Sequence, residues 1–277
     1  MKTHHALLVL LTAVTFAPFT AFSQGSLAPA GAPAPGMKTL EQIEPRTIIS
    51  SVPYTINQPG SYYLTNNLYG VPNDYGIRIF ANNVTVDLNG FTLRGVTNAF
   101  DGLVIFQASS NVTVCNGMIS GWGSGNYGIR GLGRHASLRN LTISGNGFGA
   151  SCEGGSIIQN CLIASNQRDG MDLNGAGSQF LNNTVANNNT LGGFGNAAVS
   201  VFGVNNRIEG NHVTVNNGGF GIYLPAGTTS TNNIVVKNSV SGAGANNYSV
   251  VAGNAVGPLI NSSGTITNLN PWANFSL

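Results

Sequence analysis

Charge is scarce in this sequence. Asp, Glu, Lys and Arg make up 7% of its 277 residues, against roughly 25% in ordinary globular chains. Such a composition argues against a helical domain with a charged, solvated surface. It argues equally against a disordered chain, which carries more charge and fewer Val, Ile, Leu and Phe. The formal net charge of +2 leaves no basic footprint for nucleic acid, so no such partner is expected. Long apolar runs are missing after the first residues, which excludes a membrane span of about 20 residues in the rest of the chain. Histidine and cysteine are too few and too scattered for a zinc site: beyond the start there are only His135 and His212, with Cys115, Cys152 and Cys161.

The first residues read as an export signal. Lys2, His4 and His5 precede an apolar run from Ala6 to Phe19, and Ala21-Phe22-Ser23 has the small-x-small spacing of a cleavage site. Residues 1–23 are expected to be removed, with an uncleaved anchor as the lesser alternative, placing the mature chain in a secreted, periplasmic or cell-surface location. Residues 24–36 form a Pro/Ala/Gly linker that cannot build a core. Residues 37–74 are expected to form an N-terminal cap, with a short helix over Met37–Glu44 ended by Pro45, then extended segments.

What is plentiful is glycine, 38 residues, and asparagine, and both recur periodically. Asparagine followed by alternating apolar residues occurs at Asn89, Asn116, Asn140, Asn160, Asn183, Asn211 and Asn238, at intervals of 27, 24, 20, 23, 28 and 27 residues. A second row starts YGIRI, DGLVI, YGIRG, FGASC, DGMDL, AAVSV, FGIYL and YSVVA, its glycine position falling at 76, 102, 128, 149, 170, 198, 221 and 249. Two rows in the same register with short Val/Ile/Thr segments, and no ten-residue helical stretch between them, describe strands alone. The expected fold is all-β: a parallel β-solenoid of about eight coils over 75–265, with 266–277 (Pro271, Trp272 and Phe275 among them) as a C-terminal cap.

The Asn-x-apolar corners and Gly-Ile-x-Leu strand starts resemble those of bacterial secreted right-handed parallel β-helix repeat proteins of the pectin-lyase-like superfamily. The Pro-rich leader, MKTLEQIEPRT and NPWANF resemble an uncharacterised group of them. The resemblance implies right-handedness. It also implies a superfamily of polysaccharide lyases, hydrolases and epimerases together with members of no known reaction. The sequence departs from the enzymes in lacking a Gly-His-Gly signature, an Asp-Pro-His-Asp run and long loop insertions.

If the residue after the strand-start apolar points outward, one strip should carry Arg78, Val104, Arg130, Ser151, Asp172, Ser200, Tyr223 and Val251. The position before the glycine should carry Tyr75, Asp101, Tyr127, Phe148, Asp169, Ala197, Phe220 and Tyr248. The candidate catalytic residues are Asp172, Asp169, Glu153, Arg130 and Arg168. Tyr127, Tyr223, Arg78 and Phe220 are the candidate substrate-binding residues. Aromatics stack on sugar faces while charges hold hydroxyls or uronate carboxylates, so polysaccharide is the expected partner of a monomeric chain. Three functions are compatible with this strip: a glycan-binding protein, a polysaccharide lyase, epimerase or glycoside hydrolase, and a structural surface rod. Against catalysis, exposed Asp–Arg neighbours are commonly weak surface ion pairs. No cofactor is expected. A calcium ion is a weak alternative, since Asp169, Asp172 and Asn174 supply few of its 6 to 8 oxygens. The cysteines are read as buried free thiols, with one disulfide as the lesser alternative.

Overall fold

The computed structural model describes residues 45–277 apart from 194, 228–229 and 262–263. The export signal, the linker and the short helix of 37–44 lie outside the described residues. Among the described residues there is no helix; the chain winds as a parallel β-solenoid of three strands per coil. One strand of each coil joins a nine-stranded sheet, and the other two join an 18-stranded sheet. In the coil at mid-chain these are Phe148–Cys152, Ile157–Gln159 and Leu162–Ala164. Pairing is parallel throughout the nine-stranded sheet, as in Ala150 with Met171 and Met171 with Val199.

Pairing starts earlier than the repeats suggest. Tyr54, Thr55 and Ile56 pair with Ile77, Arg78 and Ile79, so 54–56 is already a rung rather than part of a separate cap. At the other end Asn274–Ser276 pairs with Ser239–Ala243 and Leu259–Ile260. Trp272 does not plug that end: it is 48% exposed, with the Lys237 ammonium 4.6 Å from its ring centroid.

Alternation puts every second strand residue inside. Ile77, Leu103, Ile129, Ala150, Met171, Val199 and Ile222 form one buried column, and Leu138, Ile158, Phe180 and Ile208 another. Each fully buried aliphatic side chain contributes about 1.5–3 kcal/mol as an upper estimate.

The asparagine row of the sequence resolves into two rows one residue apart. Asn116, Asn140, Asn160 and Asn182 turn the corner with φ between 53° and 58°, a left-handed conformation that asparagine tolerates. One residue on, Asn183, Asn211, Asn238 and Asn274 are buried and form a ladder. Each side-chain oxygen accepts the backbone N–H one coil back, from Cys161 to Asn183 (2.9 Å) through Asn238 to Asn274 (3.0 Å). A second ladder runs through Asn146, Asn166 and Asn188, and a third through Ser156, Ser178, Asn206, Asn233 and Asn254. These ladders satisfy backbone groups that the turns would otherwise bury unpaired.

The second ladder also explains the glycine row. A Cβ on Gly128, Gly149 or Gly170 would lie 2.7–2.9 Å from the amide nitrogens of Asn146, Asn166 and Asn188. In earlier coils the fully buried Trp122 takes the ladder's place, and a Cβ on Gly76 or Gly102 would strike its ring.

Candidate functional site

The outward row of the nine-stranded sheet stacks in register: Thr55, Arg78, Val104, Arg130, Ser151, Asp172, Ser200, Tyr223 and Ser249. Its last member differs from expectation, Ser249 replacing Val251, and Val104, Ser151, Asp172 and Ser200 are buried despite their place in this row. The final coil slips by two residues, so Tyr248 pairs with Ile222 in the inward row and leaves the strip. Its hydroxyl donates to the carbonyls of Asn238 (2.9 Å) and Phe275 (3.1 Å) instead. Tyr127 stands opposite Phe148, and Ala197 opposite Phe220, as the row before the glycine requires.

Asp101 and Asp169 hold equivalent places in that row and do the same work. Oδ1 of Asp101 accepts the N–H of Tyr127 at 2.7 Å, and Oδ2 lies 3.5 Å from the Arg130 guanidinium. Oδ1 of Asp169 accepts the N–H of Ala197 and the hydroxyl of Ser200. Burial raises the pKa of both carboxyls, and these hydrogen bonds pull it back. Asp169 thereby braces the next coil.

Asp172 is different. It is buried, accepts the Tyr127 hydroxyl on Oδ2 at 3.3 Å, and has a buried Oδ1 with no hydrogen-bond partner. Desolvation raises its pKa well above the carboxylate range, and the neighbouring Asp169 charge adds to the rise. The neutral acid is therefore favoured in the folded chain. The Tyr127 phenol is likewise pushed up, by burial first and then by Asp172.

Aromatic rings flank this carboxyl along the strip. Tyr127 and Phe148 stack with centroids 4.7 Å apart and planes 17° apart. Arg130 sits 5.8 Å from the Tyr127 centroid and Arg168 5.5 Å from that of Phe148. Phe220 and Tyr223 stack at 4.4 Å and 9°. Phe220 is three coils beyond Phe148, about 14 Å at the strand spacing, and the coils of Asp172 and Ser200 lie between.

Tyr127, Arg130, Arg168, Asp169 and Asp172 are thus brought together, and Phe220 and Tyr223 bound the far side. Arg78 shares the column two coils before Arg130 and pairs with Asp74 at 3.7 Å. The expected convergence of Glu153 with the two aspartates is corrected. Glu153 follows its strand into a turn and lines hollows with Arg134 and His135, because two residues of extended chain carry it past Ser151, the partner of Asp172. Two site residues were not singled out from the sequence, Asp101 and Phe148. Their place in the row of Asp169 and Tyr127 was the available signal. Among the described residues, no three or more His, Cys, Asp or Glu side chains gather as a metal site. No helix there is long and apolar enough to cross a membrane.

Residues 127–268 match the family model described as right handed beta helix region. Comparison with curated protein sequences gives no match. Among solved structures, the pectate lyase Pel9A superposes with a TM-score of 0.54 at 16% identity, over 76% of this chain and 64% of that one. The Dettilon tailspike protein gp208 superposes with a TM-score of 0.50 at 14% identity, over 83% of this chain and 61% of that one. The chain therefore spans less than two thirds of either, and at such identities the likeness is one of fold.

Proposed function

Because the chain belongs to the right handed β-helix family, whose fold hosts many chemistries, we propose its function from the strip itself: it binds an extended polysaccharide across the outer face of the nine-stranded sheet. The Tyr127–Phe148 pair is the stacking platform, Arg130 and Arg168 flank it, and the buried Asp172 holds the Tyr127 hydroxyl from beneath. The observation that carries this reading is a stacked ring pair with an arginine beside each ring. Paired aromatic rings supply a broad apolar face while the polar groups at their edge fix orientation. The pectate lyase among the neighbours is named for a polysaccharide, which fits. The export signal expected at the start of the sequence fits an extracellular or cell-surface ligand.

The test is binding of the purified chain to a glycan array and, by calorimetry, to the best oligosaccharides. Tyr127→Ala and Arg130→Gln are expected to weaken binding by tenfold or more, as losing a stacked ring or a charge-assisted hydrogen bond does. Binding that both variants leave unchanged removes the reading.

One observation favours a second reading, a polysaccharide lyase, epimerase or hydrolase. Asp172 and Asp169 are adjacent carboxyls in divergent environments, one favouring the neutral acid, the other braced by an N–H and a hydroxyl. Acid and base roles divide in that manner in enzymes. In the hydrolase case Asp172 would give its proton to the leaving glycosidic oxygen while a water molecule attacks the anomeric carbon and yields its proton to Asp169. Release of reducing ends or unsaturated uronates that Asp172→Asn abolishes supports it; the absence of turnover on acidic and neutral polysaccharides alike removes it.

A further inference from the structure

The loops that lead into the strip enclose an open hollow of about 810 Å³, within the range of roughly 300–1,000 Å³ common for small-molecule sites. Three stacked turns line it: Asn73, then 94–100, then Gly121 to Asn126. Its origin is legible in GWGSG at 121–125. Trp122 turns inward and is fully buried, and the glycines beside it, Gly121 and Gly123, carry no side chain to fill the space outside.

The lining has a definite chemistry. Arg94 is its only charged side chain, and among the described residues Arg94 makes no ion pair. Thr97, Asn98, Ser124 and Asn126 supply hydroxyls and amides. Phe100 is 41% exposed on the rim, tilted against Tyr75 at 5.2 Å between centroids. The hollow also adjoins the strip, because Phe100 and Asn126 immediately precede Asp101 and Tyr127, and the Asn126 amide donates to the Ala99 carbonyl at 3.0 Å.

We infer that this hollow is a subsite for an acidic sugar unit, one carrying a carboxylate or a sulfate, contiguous with the Tyr127 platform. The inference rests on the polysaccharide reading above and extends it: the unpaired Arg94 guanidinium takes the anion, where a planar fork matches an oxyanion. The hydroxyls and amides take ring hydroxyls, and the half-exposed Phe100 ring packs against the apolar face of the sugar.

The experiment measures affinities of the full chain by calorimetry for an oligouronate, its carboxyl-reduced neutral counterpart, a sulfated oligosaccharide and inorganic phosphate. Each is repeated with Arg94→Gln, Arg94→Lys and Tyr127→Ala. The expected result is tighter binding of at least one acidic oligosaccharide than of the neutral one. Arg94→Gln should weaken the acidic ligand about tenfold or more, the usual worth of a charge-assisted hydrogen bond, and leave the neutral one unchanged. Arg94→Lys should recover part of the loss, and Tyr127→Ala should weaken every sugar. Whether uronate or sulfate responds identifies the acid group. Equal binding of acidic and neutral sugars, or acidic binding indifferent to Arg94→Gln while Tyr127→Ala weakens it, overturns the hollow and leaves the strip standing. Inorganic phosphate binding as tightly as the acidic sugars overturns the sugar assignment. If Arg94→Gln weakens the neutral sugar equally, the charge has no role and the inference falls. If no saccharide binds at all, both readings fall.

Discussion

Tyr127 reaches across two coils to donate its hydroxyl to Oδ2 of Asp172 at 3.3 Å, while Oδ1 of the same carboxyl stays buried without a partner. A residue that is satisfied on one side only is costly to keep ionised. Its titration is the first thing to measure.

Asp172 favours the neutral acid in the fold and ionises near pH 4 when the chain unfolds. Above that pH the native state binds more protons than the unfolded state, so this group's contribution to stability falls as pH rises toward the raised folded value. Asp172→Asn is expected to remove that slope. Relative to wild type, the variant should gain stability progressively as pH rises from about 4 to the raised folded pKa and no further, by about 1.4 kcal/mol for each unit that the folded pKa is raised. Urea denaturation at several pH values reads the difference. A difference that does not change with pH would mean that Asp172 titrates as an ordinary carboxyl.

The asparagine ladder should be expensive to cut. The Asn211 side chain accepts from the Asn183 backbone at 2.9 Å and donates to the Phe180 carbonyl and the Asn238 side chain, both at 2.9 Å. Asn211→Ala strands buried partners at about 1–3 kcal/mol each, so a loss of roughly 3 kcal/mol or more is expected by chemical denaturation. Asn140, exposed at a left-handed corner with φ 54°, should behave otherwise. Its change to Ala should cost about 1–2 kcal/mol, and its change to Gly should be close to neutral.

The glycine row should resist the smallest enlargement. A Cβ on Gly102 would lie 2.6 Å from the Gly128 carbonyl oxygen and 2.7 Å from Nε1 of Trp122. Gly102→Ala is expected to cost about 3 kcal/mol, at the upper end of overpacking, read as a drop in Tm. An unchanged Tm would mean that Trp122 is free to move aside.

The three cysteines are buried free thiols. Burial pushes the Cys161 thiol up to about 11 and raises Cys152 further. Iodoacetamide at pH 8 should label none of the three in the native chain and all three in denaturant, counted by mass spectrometry. Rapid native labelling would mean that the coils open locally.

The repeat was readable because a parallel solenoid returns to equivalent positions at each turn, and equivalent positions face equivalent environments. The glycine row at 76, 102, 128, 149 and 170 shows this, since each glycine lies under Trp122 or a ladder amide. The asparagine row was less readable. Asn182 and Asn183 are the same letter with two functions, one turning the corner and one buried in the ladder. The equivalent corner at Asn160-Cys161 offers only the first, with a cysteine in the ladder place. Tyr248 misled for a similar reason: YSVVA resembles FGIYL, but a two-residue slip puts its tyrosine inside.

Winding, strand content and the core-facing side of each strand are written in the order of the residues, because they follow from alternation and from the steric freedom of glycine and asparagine, all local properties. Which outward residues meet is settled only once the coils stack. Glu153 leaves the aspartates by following its turn, Asp101 braces Tyr127 and Arg130, and Trp122 turns inward to open the hollow beside Arg94. Those outcomes depend on side-chain direction and on the neighbours one coil away, 20 to 28 residues distant along the chain, and no local pattern encodes them.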